Sequence, residues 1–135
     1  GIASLGSYAY LYNSSLSLVL SALNAVPVPF STQGIVVNLT HSTTVNPDQI
    51  IINSSGTYKL TAVIDLNTAP DGANFEFYKN SAPITGTSFG LTGVGVVTVQ
   101  SIVQASPGDF IQLIQTDLVN SSLAGVASLV VEQIA

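Results

Sequence analysis

The chain has 135 residues, enough for one domain with a real core. Only 7% of them are charged, against roughly 25% in an average soluble domain, and five Asp and two Glu against two Lys leave a net charge of −5. With no Arg and only Lys59 and Lys79 it cannot neutralise a run of phosphates or an anionic bilayer, which excludes nucleic-acid and membrane partners.

Apolar residues make up 47% of the chain, yet runs such as Ile35-Val36-Val37 and Ile50-Ile51-Ile52 fall far short of the roughly 20 residues that span a bilayer. The surface must therefore be built from Ser, Thr, Asn and Gln, with part of it covered by other subunits. The absence of Cys removes disulfides and zinc–thiolate sites. A chain that opens at Gly1 without Met reads as a mature or excised fragment lacking a signal peptide.

No segment carries a useful helix pattern. Val, Ile, Thr, Tyr and Phe cluster in short runs broken by Gly, Pro, Asn, Asp and Ser, which predicts an all-β sandwich or barrel. In chain order the expected strands are Tyr8–Tyr12, Leu16–Leu20, Gly34–His41, Gln49–Asn53, Thr57–Leu66, Asn74–Lys79, Val94–Ala105, Phe110–Val119 and Ala124–Ile134. The clearest alternation sets Tyr58, Leu60, Ala62, Ile64 and Leu66 on a core face against Thr57, Lys59, Thr61, Val63 and Asp65 on the other. Ser55-Gly56, Pro70-Asp71-Gly72, Asn80-Ser81 and Ser106-Pro107-Gly108-Asp109 supply the turns.

The stretch Gly86 to Gly95 lacks the Lys and the helix of a phosphate loop and reads as a mobile connection. The final strand runs almost to the last residue, so it is expected at the centre of a sheet, beside the first strand.

Phe110-Ile111-Gln112-Leu113-Ile114 and Leu129-Val130-Val131 are apolar on both faces. A two-layer sandwich buries only one face of a strand, so the second cover is expected from another copy of the chain, or else from a loop over an edge strand. Ile111, Leu113 and Val130, with Tyr8 and Tyr10, are the expected subunit contacts. Tyr8, Tyr10 and Tyr12 could instead line a carbohydrate site, although core or interface is the simpler reading.

Catalytic chemistry finds little support. A hydroxyl with His41 as base and Asp48 as orienter has the right residue types, but His41-Ser42-Thr43-Thr44 reads as a polar loop and no nucleophile elbow is present. Asp65, Asn67, Asp71 and Asp109 offer oxygen ligands. Gly72 falls too late for a calcium loop, however, no Glu closes it, and turn geometry accounts for Asp71 and Asp109. No metal and no cofactor is expected. Four Asn-x-Ser/Thr sequons, at Asn13, Asn38, Asn53 and Asn120, arise readily in so Asn- and Ser-rich a chain.

Five segments carry a resemblance in order along nearly the whole chain. They are Tyr10-Leu11-Tyr12-Asn13-Ser14, Val26-Pro27-Val28-Pro29-Phe30-Ser31-Thr32, Ser55-Gly56-Thr57-Tyr58-Lys59-Leu60-Thr61, the hairpin from Tyr78 to Thr87, and the end from Val131 to Ala135. They resemble the C-terminal domain of the BclA family of Bacillus collagen-like spore-surface (exosporium) glycoproteins. More broadly they resemble the jelly rolls of complement globular heads and tumour necrosis factor. Leu60 stands where an aromatic is more usual.

The resemblance implies one TNF-like jelly-roll domain over 1–135, of about ten strands, assembled as a homotrimer. It also implies a non-catalytic, extracellular role as the distal head and trimerisation unit of a collagen-like stalk lying upstream, on a bacterial spore surface. Collagen chains need three strands in register, which a trimeric head supplies. The alternative is a trimeric lectin, receptor ligand or fibre tip with a glycan or host-surface partner.

Overall fold

The computed structural model describes residues 6–135, in which every regular element is a strand. The strands are β1 (Tyr8–Leu20), β2 (Val26–Pro27), β3 (Thr32–Val37), β4 (Leu39–Thr40), β5 (Ile50–Ile52), β6 (Gly56–Thr68), β7 (Ala73–Lys79), β8 (Ala82–Pro83), β9 (Phe89–Leu91), β10 (Gly95–Ala105), β11 (Phe110–Gln115) and β12 (Ser121–Gln133). The count exceeds the expected ten because three of them, β2, β4 and β8, are two-residue pieces. One sheet has the order β10-β6-β12-β1-β3; the second has the order β4-β5-β11-β7-β8, with β2 added to β11 and β9 to β7.

The five-stranded sheet is built from long elements. β12 is central: it pairs antiparallel with β1 from Tyr8–Glu132 to Leu20–Ser121, and on its other edge with β6 from Gln133–Tyr58 to Thr68–Ala124. First and last strands thus lie side by side, as their patterns predicted. In β6 the alternation is as read, with Tyr58, Leu60, Ala62, Ile64 and Leu66 buried and Lys59, Val63 and Asp65 exposed. One core cluster draws on both sheets and encloses Phe30, Tyr58, Phe75 and Phe77. The Tyr58 hydroxyl stays satisfied inside it by donating to the Ser54 carbonyl at 2.7 Å.

Several local features depart from the sequence reading. The two expected strands Tyr8–Tyr12 and Leu16–Leu20 are one strand with a bulge between Asn13 and Leu16. Asn13 holds that bulge: its Oδ1 accepts from the Ser15 N–H at 3.1 Å and its Nδ2 donates to the Pro29 carbonyl at 2.9 Å.

The expected strand Gly34–His41 breaks at Asn38, whose φ is 51°, and its two halves belong to different sheets. Asn tolerates the left-handed region, and its Nδ2 donates to Ser7 Oγ at 2.9 Å and Ser54 Oγ at 2.7 Å. The glycine-rich stretch from Gly86 to Gly95 is a paired segment rather than a loose connection. β9 is hydrogen-bonded to β7, and buried Thr87 accepts from the Phe77 N–H at 3.1 Å and donates to the Ile84 carbonyl at 2.8 Å.

The turns follow their chemistry. Asn80 and Ser81 both have positive φ, at 52° and 67°, the pair of values that a two-residue hairpin with the right twist requires. At Ser106-Pro107-Gly108-Asp109 the Asp109 N–H donates to the Ser106 carbonyl at 3.0 Å. Gln115 ends β11 by receiving the Asp117 N–H at 2.8 Å, which stops the expected strand well short of Val119.

Gly125 marks the one shift in the β12–β6 register, and a Cβ there would collide with the Asp65 carbonyl oxygen. Gly125→Ala is expected to lower unfolding free energy by about 2–3 kcal/mol. Gly93→Ala, where an added Cβ meets nothing within 4 Å, should stay within about 0.5 kcal/mol of the parent. Urea titrations of the two variants read the difference.

Candidate functional site

Residues that alternate out of the core along β1, β12, β6 and β10 share one broad outward face. The register orders them in rows. Tyr10 lies opposite Val130, which lies opposite Thr61; Tyr12 faces Ser128, and Ser128 faces Val63. Toward one end Tyr8, Glu132, Lys59 and Ile102 form a third row, and toward the other Val126, Asp65 and Val96 form a fourth. On these four strands the only charged side chains are Lys59, Asp65 and Glu132.

The tyrosines are built in rather than dangling. The rings of Tyr10 and Tyr12 stack with centroids 5.4 Å apart at 28°. Tyr10 also lies across Gly34 of β3, where a Cβ would come within 2.9 Å of its Cδ2, so the ring occupies the space that glycine leaves. Tyr10 nevertheless keeps 43% of its surface open, and Val130 37%. The face is therefore sparsely charged and partly apolar where it meets solvent.

Of the five expected contact residues, Tyr8, Tyr10 and Val130 point out of this face. Ile111 and Leu113 do not. Both are wholly enclosed within the protomer's own core, so neither has surface to offer a second copy. The outward neighbours on β11, Gln112 and Ile114, are also covered, and by the same chain. Gln112 Nε2 donates to Asp48 Oδ2 at 2.6 Å, and β2 pairs alongside Ile114. The doubly apolar pattern of β11 therefore reflects intramolecular cover, as the loop alternative held, although β11 is an inner strand and not an edge.

The candidate triad is not assembled. His41 Nε2 lies 2.9 Å from the Pro47 carbonyl, which can only accept, so that nitrogen carries the hydrogen; Nδ1 lies 3.0 Å from Gln33 Oε1, so both ring nitrogens are taken up by oxygens of the protein itself. Ser42 Oγ caps its own loop, accepting from the N–H groups of Thr44 and Val45. Asp48 is engaged with Gln112. Among the described residues no three His, Cys, Asp or Glu side chains converge on a possible metal position. Of the oxygen-rich loop, Asp65 sits in mid-strand while Asp71 belongs to the turn that the Gly72 N–H closes on the Ala69 carbonyl. Asn13 and Asn38 spend their side-chain amides on internal hydrogen bonds.

A polar cleft of about 470 Å³ opens at the end of the sandwich where Ser7 and Gln133 meet. Lys79, Gln104, Ser106, Asp109, Ser55 and Thr57 line it. Sequence reading passed over it because its walls come from four separate segments. Lys79 Nζ donates to the Gln104 carbonyl at 3.0 Å. Asp109 takes the Asn80 Nδ2 at 2.8 Å and the Ser106 N–H at 2.8 Å, while Asn80 Oδ1 receives the Phe110 N–H. The cleft is thereby a lock between two turns.

No family model and no curated protein matches the chain. Solved structures do. The vertex protein P5 of PRD1 superposes with a TM-score of 0.70 at 13% identity, covering 98% of this chain and 100% of that one. The globular domain of zebrafish complement 1qA gives 0.69 at 13% identity, covering 96% and 98%. Murine APRIL gives 0.66 at 12%, covering 93% and 98%. The fold is the TNF-like jelly roll. At these identities the likeness is one of architecture, and it confirms the fold that the sequence segments implied. In that jelly roll the outward face of the β10-β6-β12-β1-β3 sheet is left uncovered by the second sheet.

The Asn80 and Ser106 hydrogen bonds, with a smaller pull from Lys79, hold the Asp109 carboxyl below its ordinary value of 3.8. A carboxyl depressed in the fold stabilises it above the unfolded value, and that stabilisation is lost as pH falls through the folded one. The Tm gap between the parent and Asp109→Asn should thus be widest above about pH 5 and narrow as pH falls below the ordinary carboxyl value of 3.8. A gap that stays constant across that range would sink the assignment.

Proposed function

We propose that this protein is a non-catalytic, self-associating head: a homotrimer whose contacts run through the outward face of its five-stranded sheet. The single observation that carries this reading is that face, where Tyr10, Val63, Val126 and Val130 lie open while only three charged side chains occupy four strands. Covering each of these half-exposed side chains contributes about 1 kcal/mol, and a threefold assembly repeats the gain at every contact. Self-association also answers the composition, because a chain with 7% charge has little else to keep that face wetted.

The biological setting rests on the sequence resemblance. By it, the domain is the distal head of a collagen-like exosporium filament glycoprotein on a bacterial spore, placing three stalk chains in register and presenting an adhesive surface outside the cell. The alternative, a trimeric receptor- or carbohydrate-binding module or a fibre tip, uses the same assembly. Its support is the shared fold of murine APRIL and the PRD1 vertex protein.

Light scattering after size exclusion tests the assembly. A trimer has a mass of about 42 kDa, three times the 13.9 kDa of the chain; a sharp 13.9 kDa peak at millimolar concentration would refute it. Val130→Asp should give a folded monomer, since it charges the open face. Leu113→Ala should instead lower stability by about 2–5 kcal/mol through a core cavity and leave the mass unchanged wherever the protein remains folded.

A further inference from the structure

The two ends of the sandwich differ in a way the self-association reading does not use. At one end lie Ser7, Gln133 and the polar cleft, and both lysines belong to that half: Lys59 stands opposite Glu132, and Lys79 opposite Ile111 at the start of β11. The other end is capped by three loops, 21–25, 69–72 and 116–120, together with the 92–94 segment. The pairs Leu20–Ser121, Thr68–Ala124 and Leu66–Gly95 place these together, and Asn120 Oδ1 ties the first loop to the third by accepting the Ala22 N–H at 3.1 Å.

Loop tips are ordinarily polar, because turn geometry calls for Gly, Asn, Asp and Ser. Here three of the four segments end in an aliphatic side chain facing solvent. Leu23 is 84% exposed, Val94 64% and Leu118 55%. None of the three belongs to the core or packs against it, so folding gains almost nothing from them. The charged residues of these segments are Asp71 and Asp117, with no Lys, Arg or His among them. This end is therefore apolar at its tips and purely acidic in its charge.

We propose that this loop-built end is a docking surface for a protein partner that presents apolar side chains framed by Lys or Arg. The aliphatic tips supply area to be buried, and Asp71 and Asp117 select the sign of the surrounding charge. An anionic membrane is repelled by the same carboxylates. The surface is distinct from the outward sheet face, and the inference stands whatever the oligomeric state.

The test uses the whole chain and a fluorescein-labelled amphipathic peptide of Leu and Lys at helical i, i+3, i+4 spacing, read by anisotropy. Two control peptides carry Glu for Lys or Ser for Leu. The parent should bind the Leu/Lys peptide, and neither control should bind. L23S/L118S should weaken binding at least about tenfold with an unchanged Tm, since both side chains are exposed. D71N/D117N should weaken it several-fold and flatten its salt dependence. Three results would overturn the proposal: no binding of the Leu/Lys peptide, binding that survives L23S/L118S, or leucine-dependent binding of neutral phosphatidylcholine vesicles in place of the peptide.

Discussion

β12 is hydrogen-bonded along both edges for nearly its whole length, and the rest of the sandwich hangs from that double pairing. It joins the start of the chain to its middle, so the sheet closes only when residues more than a hundred positions apart have met. Because the side-chain period in a strand is two, this one register decides which residues of β1, β6 and β12 face inward. A slip by one residue would bring Tyr10, Val130 and Lys59 into the core and turn Leu11, Leu129 and Leu60 out. In the two pairings of β12 the register is adjusted at Asn13, whose side chain hydrogen-bonds across the bulge, and at Gly125, where a Cβ would meet the Asp65 carbonyl.

Low charge gives the molecule its other constraint. With two cations in the whole chain, electrostatics cannot organise the fold, and backbone groups and neutral amides take that task. Asn13, Asn38, Asn80, Gln115 and Gln133 each bridge segments that are distant in sequence. Amide networks of this kind are directional and weakly sensitive to salt, whereas a surface ion pair is screened. The carboxylate of Asp109 joins them only through amide partners and a remote lysine.

Much of the fold was legible because its signals are local. The β6 alternation, the Asn80-Ser81 hairpin and the Ser106 to Asp109 turn depend on adjacent residues and appear where their patterns place them. The switch of sheets at Asn38 was not legible, because it depends on hydroxyls of Ser7 and Ser54, which no nearby pattern announces. β9 was hidden for a related reason: glycine-rich segments read as loops unless the partner strand is known. Strand alternation does account for the outward placement of Tyr8, Tyr10 and Val130. Ile111 and Leu113 misled because an apolar run reads the same whether a loop or a second copy covers it.

The antiparallel pairing of β1 with β12 also sets how the domain bears load. The chain enters at Ser7, beside Gln133, so a tether pulling there against a hold on the opposite end stretches β1 along its own axis. Its hydrogen bonds to β12 and β3 are then strained together, in shear, rather than opened one after another. Pulling Ser7 away from Gln133 at the same end would instead peel the two strands like a zipper. The pairing thus predicts a domain more resistant to force along the line joining its two ends than across it.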